Sequence, residues 1–149
     1  MSNIKKLTRR QVREKAIQTL YQILEPKEAL TIETALAFSL EAGNDPEAGF
    51  EGIQDAYLTE LVTGVHGQVA QLDDAIKQFL TESWTLERIA KIDLTILRLA
   101  FYEVLHVDNS IVPVQVAVDE AIELSKTFSD ERSTNFVAGV LSKFIADKV

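Results

Sequence analysis

Residues 92–105 read Ile92-Asp93-Leu94-Thr95-Ile96-Leu97-Arg98-Leu99-Ala100-Phe101-Tyr102-Glu103-Val104-Leu105. Apolar residues fall on nearly every side of a helical wheel here, which predicts a helix buried on most of its surface and placed at the centre of the fold. Reading outward, apolar positions elsewhere recur at spacings of three and four rather than two, so strands are not expected. Thr8 and Gln11 fit a capping box, and Leu7 and Val12 are spaced for the accompanying hydrophobic staple. The stripe Val12, Ala16, Leu20, Ile23, Leu24 follows and stops near Glu25-Pro26.

Ile32, Leu36 and Leu40 mark a second helix. Gly43 to Gly52, with three glycines and Pro46, reads as a long loop. A longer stripe runs Ile53, Tyr57, Leu61, Val65, Val69, Leu72, Ile76, Phe79, and Gly64 and Gly67 allow either one bent helix or two. Thr85 can cap a short turn, Asp108-Asn109-Ser110 forms a turn, and Pro113 suits the first turn of the next helix. That helix carries Val114, Ala117, Val118, Ala121, Leu124 and Phe128, and Ser133 can cap the last one. The expectation is an all-α chain of about seven helices.

The chain has 149 residues and a formal net charge of −8. That length fits one domain with a sizeable core. The charge is uneven. Residues 1–15 hold six basic groups and one acidic group, so this end is +5 and the remainder −13. A surface that coats nucleic acid throughout is excluded, but a local basic site is not. Without cysteine there is no disulfide framework, cysteine-ligated zinc or thiol nucleophile. No apolar run is long enough to span a membrane and no secretory leader is evident, so a soluble cytoplasmic protein is expected.

Enzyme motifs are scarce. No phosphate-binding glycine loop or H-E-x-x-H occurs, and no cofactor is implied. His66 and His106 read as surface or helix-end imidazoles, and Asp73-Asp74 and Asp119-Glu120 as solvated helix surface. The first helix is more informative. Arg10 and Tyr21 are eleven positions apart, which brings them within about 20° on the wheel, with Arg13 and Ile17 near the same line and Arg9 adjacent. Arginines that hold phosphates beside a tyrosine that stacks on a base are the parts of a single-strand RNA site. Arginines at a helix N-terminus also oppose the macrodipole. The competing reading is a solvated basic face with Tyr21 at the edge of the core.

Three stretches carry a family likeness. They are Arg9-Arg10-Gln11-Val12-Arg13 through Leu20-Tyr21, Trp84 through Glu103, and Pro113 through Leu141 with Glu120-Ala121-Ile122-Glu123-Leu124-Ser125-Lys126-Thr127-Phe128-Ser129. Together they resemble the NusB transcription antitermination proteins over nearly the whole chain. The resemblance implies a non-enzymatic, all-helical protein forming one NusB-like RNA-binding domain over 1–149, with helical subdomains of about 1–80 and 81–149. It implies binding to boxA RNA of ribosomal RNA leader transcripts together with ribosomal protein NusE, assembly with RNA polymerase and other Nus factors, and suppression of premature termination.

By position, the RNA-facing set is Arg9, Arg10, Arg13, Tyr21, Phe128 and Ser129, with Arg132 beside them, and the NusE-facing set is Asp93, Tyr102 and Glu103. No metal site is implied. Two positions depart from the family pattern. Gln11 stands where some relatives carry another arginine, which lowers the expected phosphate affinity, and Ala138 stands where asparagine is common before Gly139. The acidic remainder suits a basic ribosomal protein. Three other readings stay open at this stage. They are a protein-only assembly module, a homodimer, and a component of an RNA-modifying enzyme, since similar helical domains occur fused to RNA cytosine methyltransferases.

Overall fold

Helix α1 (Arg9–Ile23) begins where Thr8 leaves the helix in extended backbone. The Thr8 N–H donates to Gln11 Oε1 at 2.8 Å, and the Gln11 N–H donates to Thr8 Oγ1 at 3.1 Å. The capping box therefore closes in both directions, and Leu7 and Val12 are buried as the staple requires. The structure, a computed structural model, describes residues 6–24, 31–41 and 55–148. The expected end of the first helix at Glu25-Pro26, the loop from Gly43 to Gly52, Ile53 of the third stripe and the basic Lys5 lie outside the described residues.

Among the described residues there are seven α-helices and no strand. After α1 come α2 (Ile32–Glu41), α3 (Ala56–Gly67), α4 (Val69–Lys77), α5 (Lys91–His106), α6 (Val114–Phe128) and α7 (Glu131–Lys148), with one 3-10 turn at Leu86–Arg88 before α5. The long third stripe resolves into α3 and α4, because the backbone at Gln68 leaves the helical region (φ −122°, ψ 22°). Contacts divide the chain into two units, Met1–His66 and Gly67–Val149, whereas the sequence placed the division near residue 80.

In the first unit α1 packs on α2. Gln22 Nε2 donates to Ser39 Oγ at 3.1 Å, a polar tie within that contact. In the second unit α5 touches α4, α6 and α7, so the apolar stretch that opened the sequence reading is the centre of this unit. Phe101 of α5 stacks on Phe144 of α7 with ring centroids 3.9 Å apart and planes within 5°, and Phe79 tilts against both.

Two expectations need correction. Asp73 does not stand in solvent. It takes a two-pronged contact from Arg98 of α5, Nε to Oδ1 at 2.8 Å and Nη2 to Oδ2 at 2.9 Å. Both side chains are largely shielded, at 17% and 13% exposure. Nor does Ser133 cap the last helix. Asp130 does so, its Oδ1 accepting the Ser133 N–H at 2.8 Å. Aspartate caps as well as serine, and it comes first in the chain. Ala138 and Gly139 both lie within α7. Nothing in the structure explains the alanine.

Candidate nucleic-acid interface

The basic face of α1 is set by how deeply this helix is buried. Val12, Arg13, Lys15, Ala16, Ile17, Thr19 and Leu20 all face inward, an arc of about 200° on the wheel. Arg10 and Tyr21 lie just outside that arc and are exposed. Ile17, about 20° to the inner side of Arg10, is fully buried. The border of the core thus runs along the predicted strip itself. Arg9 at the first helical position is exposed, Tyr21 is 40% exposed, and Arg13 is only 3% exposed. Of the α1 candidates, Arg10 and Tyr21 lie in line along the edge of the buried arc, Arg9 is exposed because it opens the helix, and Arg13 is buried.

Arg9 has an unexpected partner. Its guanidinium carbon lies 4.1 Å from the centroid of the Tyr57 ring on α3. Lys15 is buried, and desolvation lowers its pKa, partly opposed by the charge of Glu14.

The second unit holds the other candidates. Phe128 ends α6, and Ser129 follows in extended backbone, its N–H donating to Ser125 O at 2.9 Å. Arg132 is exposed in the first turn of α7. Asp93, in the first turn of α5, is 5% exposed. Its Oδ2 accepts from Ser133 Oγ at 2.9 Å, and its Oδ1 is buried without a hydrogen-bond partner. Burial pushes the Asp93 carboxyl above its ordinary range, the Ser133 hydrogen bond pulls it down, and the negative charge of Asp130 raises it again. Tyr102 is buried, and Glu103 is 1% exposed. Asp93 also lines an open pocket. That pocket, about 180 Å³, is shared with Trp84, Arg88, Arg132, Ser133 and Phe136.

This pocket joins a residue from the RNA set, Arg132, to one from the partner set, Asp93. Trp84 and Phe136 pack against each other in its wall with centroids 5.1 Å apart, and Arg88 is tethered to Ser83 O at 2.6 Å. Among the described residues, two side-chain oxygens are buried without a hydrogen bond, Asp93 Oδ1 and Gln18 Oε1. Gln18 lies one turn before Tyr21. The structure leaves His66 and His106 exposed in the last turns of α3 and α5. Among the described residues no carboxylate or histidine cluster could hold a metal, and no helix is long and apolar enough to cross a membrane.

Comparison with known proteins decides the family. The sequence profile of the NusB family matches residues 10–146. The chain belongs to the NusB family. A transcription antitermination protein NusB of Lactiplantibacillus plantarum is 45% identical, covering 95% of this chain and 97% of its own. Its counterpart in Enterococcus faecalis is 43% identical, covering 95% and 91%. The solved structure of T. maritima NusB superposes with a TM-score of 0.74 at 30% identity, covering 93% of this chain and 91% of that one. A structure of the antitermination factors NusB and NusE in complex with dsRNA shares the fold, with a TM-score of 0.71 at 22% identity over 91% and 93%. This NusB-family chain is therefore a non-catalytic, all-α transcription antitermination factor, as the resemblance implied.

Sequence reasoning missed Tyr57, Trp84 and Arg88. Nothing in the sequence pairs Tyr57 with Arg9, because they meet only through tertiary packing. Trp84 and Arg88 carry a weak signal, being the sole tryptophan of the chain and an arginine four residues on.

Proposed function

We propose that this chain binds single-stranded boxA-type RNA of ribosomal RNA leaders together with ribosomal protein NusE, and so suppresses premature termination on RNA polymerase with other Nus factors. The observation that carries this reading is the exposure of Arg9 at the start of α1 and of Arg10 and Tyr21 along the border of its buried face. Two guanidinium groups can hold successive phosphates, and the ring offers a stacking surface. Phe128, Ser129 and Arg132 are the RNA contacts of the second unit. Asp93 is the centre of the NusE contact, with Tyr102 and Glu103 supporting it from inside α5. The two units act as one RNA-binding domain in the cytoplasm. The structure of NusB and NusE in complex with dsRNA, which shares this fold, supports NusE and RNA as partner classes.

Binding to a short boxA-like RNA and a scrambled control, with and without NusE, tests the reading. Preference for the boxA-like strand is expected, and equal weak binding to both RNAs with NusE present would reject it. Each single-strand phosphate contact contributes about 0.7 to the log–log salt slope, so removing Arg9 and Arg10 should lower it by about 1.4. Because Arg13 is buried, Arg13→Ala should reduce stability more than slope. Tyr21→Ala should weaken binding by about 1–3 kcal/mol if a base stacks there.

A further inference from the structure

The contact between Arg9 and Tyr57 goes beyond this reading while resting on it. Arg9 opens α1, where the unpaired N–H groups make a local positive field, and the first turn contains no acidic residue to offset it. An arginine there is electrostatically disfavoured by the helix. Tyr57, half-buried near the start of α3, presents its ring to the guanidinium at 4.1 Å. That lies well inside the range at which the negative face of an aromatic ring attracts a cation. Stacking uses the face of the planar guanidinium, and its N–H donors lie around the edge. A phosphate is gripped in that plane, by two parallel N–H groups.

We infer that Tyr57 is a positioning residue for RNA phosphate binding: its ring holds the Arg9 guanidinium in place at the exposed start of α1, where its N–H donors can meet the strand. An arginine on a long free stem loses rotamer freedom each time it binds. One already laid on a ring has lost part of it beforehand. The same contact keeps the charge of Arg9 at a helix start that would otherwise repel it. Tyr57 itself touches no RNA in this arrangement.

A double-mutant cycle in RNA binding tests the inference with the full chain, a short single-stranded boxA-like RNA and NusE. Tyr57→Leu should weaken binding by about two- to fivefold, the fold-change matching an exposed cation–π contact. Tyr57→Phe keeps the ring and should bind as wild type. In an Arg9→Ala background, Tyr57→Leu should have no further effect. Wild-type affinity for Tyr57→Leu overturns the inference, and so does a loss that persists undiminished in the Arg9→Ala background. Should Tyr57→Leu not fold, Arg9→Lys serves instead. It keeps the charge and loses the plane, so weakened binding is expected and wild-type binding overturns the proposal. If Arg9→Ala weakens binding while Tyr57→Leu does not, only the role of Tyr57 falls. If the wild-type chain binds no RNA, the RNA reading falls and this inference falls with it.

Discussion

The Ser133 hydroxyl donates to Asp93 Oδ2 at 2.9 Å across forty residues of chain, while the second oxygen of that carboxylate is buried with no partner. The bond ties the first turn of α7 to the first turn of α5. It also leaves a carboxylate half satisfied in a site that disfavours its charge.

Asp93 should therefore make stability depend on pH. Its folded pKa is raised, so the native state holds the proton more tightly than the unfolded chain, whose aspartate titrates near about 3.9. The contribution is present in full below that value and is lost as pH rises through the raised folded value. Asp93→Asn removes this loss. Thermal midpoints from pH 4 to 8 should show the variant gaining on wild type as pH rises, and a difference between the two that stays constant over this range would contradict the account.

The Arg98–Asp73 contact joins α5 to α4 with both prongs engaged and little exposure. Removing one partner strands the other charge in a shielded place. Asp73→Ala should cost on the order of 2–3 kcal/mol by urea unfolding, more than an exposed ion pair gives. Asp74→Ala, whose lysine contact is long and exposed, should change stability by less than about 0.5 kcal/mol. Equal effects would place Asp73 in solvent after all.

Gln11 spends its side chain on the helix start, accepting the Thr8 N–H. Gln11→Arg should add a phosphate contact and raise the salt slope of RNA binding by about 0.7. The same change removes the Gln11 half of the capping box, leaves the Thr8 Oγ1 half in place and adds a cation at the positive end of α1, so stability should fall by about 0.5–1 kcal/mol. Measuring slope and unfolding on one variant separates the two effects. A gain in both would show that the capping role is dispensable.

Phe144 stacks on Phe101 and touches Phe79, joining α7 to α5 at the heart of the second unit. Phe144→Ala should cost about 3–5 kcal/mol, whereas Phe144→Leu should cost clearly less because more of the volume stays filled. Calorimetry of the two variants checks the order.

Much of the fold was legible because it rests on local chemistry. The apolar run of residues 92–105 announced a buried helix, and the Thr8–Gln11 spacing announced a cap. What failed depended on partners far along the chain. Asp73 looked solvated because Arg98 lies 25 residues away. Ser133 looked like a cap because its true role, binding Asp93, joins two different helices. Within the candidate site, the wheel angle put Arg10, Arg13, Ile17 and Tyr21 on one line but could not say where the core ends. The core border runs along that line, leaving Arg10 and Tyr21 outside and Arg13 and Ile17 inside. Tyr57 was invisible for the same reason as Arg98: its contact is made by packing, not by spacing.

Trp84 is the sole tryptophan of the chain, 41% exposed, seated between Phe136 and Arg88 on the rim of the pocket that holds Asp93 and Arg132. All indole fluorescence of this protein therefore arises at one place, and that place borders residues of both proposed contact sets. The emission maximum and its quenching by small solutes become a native optical readout of that surface, with no dye attached and no residue changed.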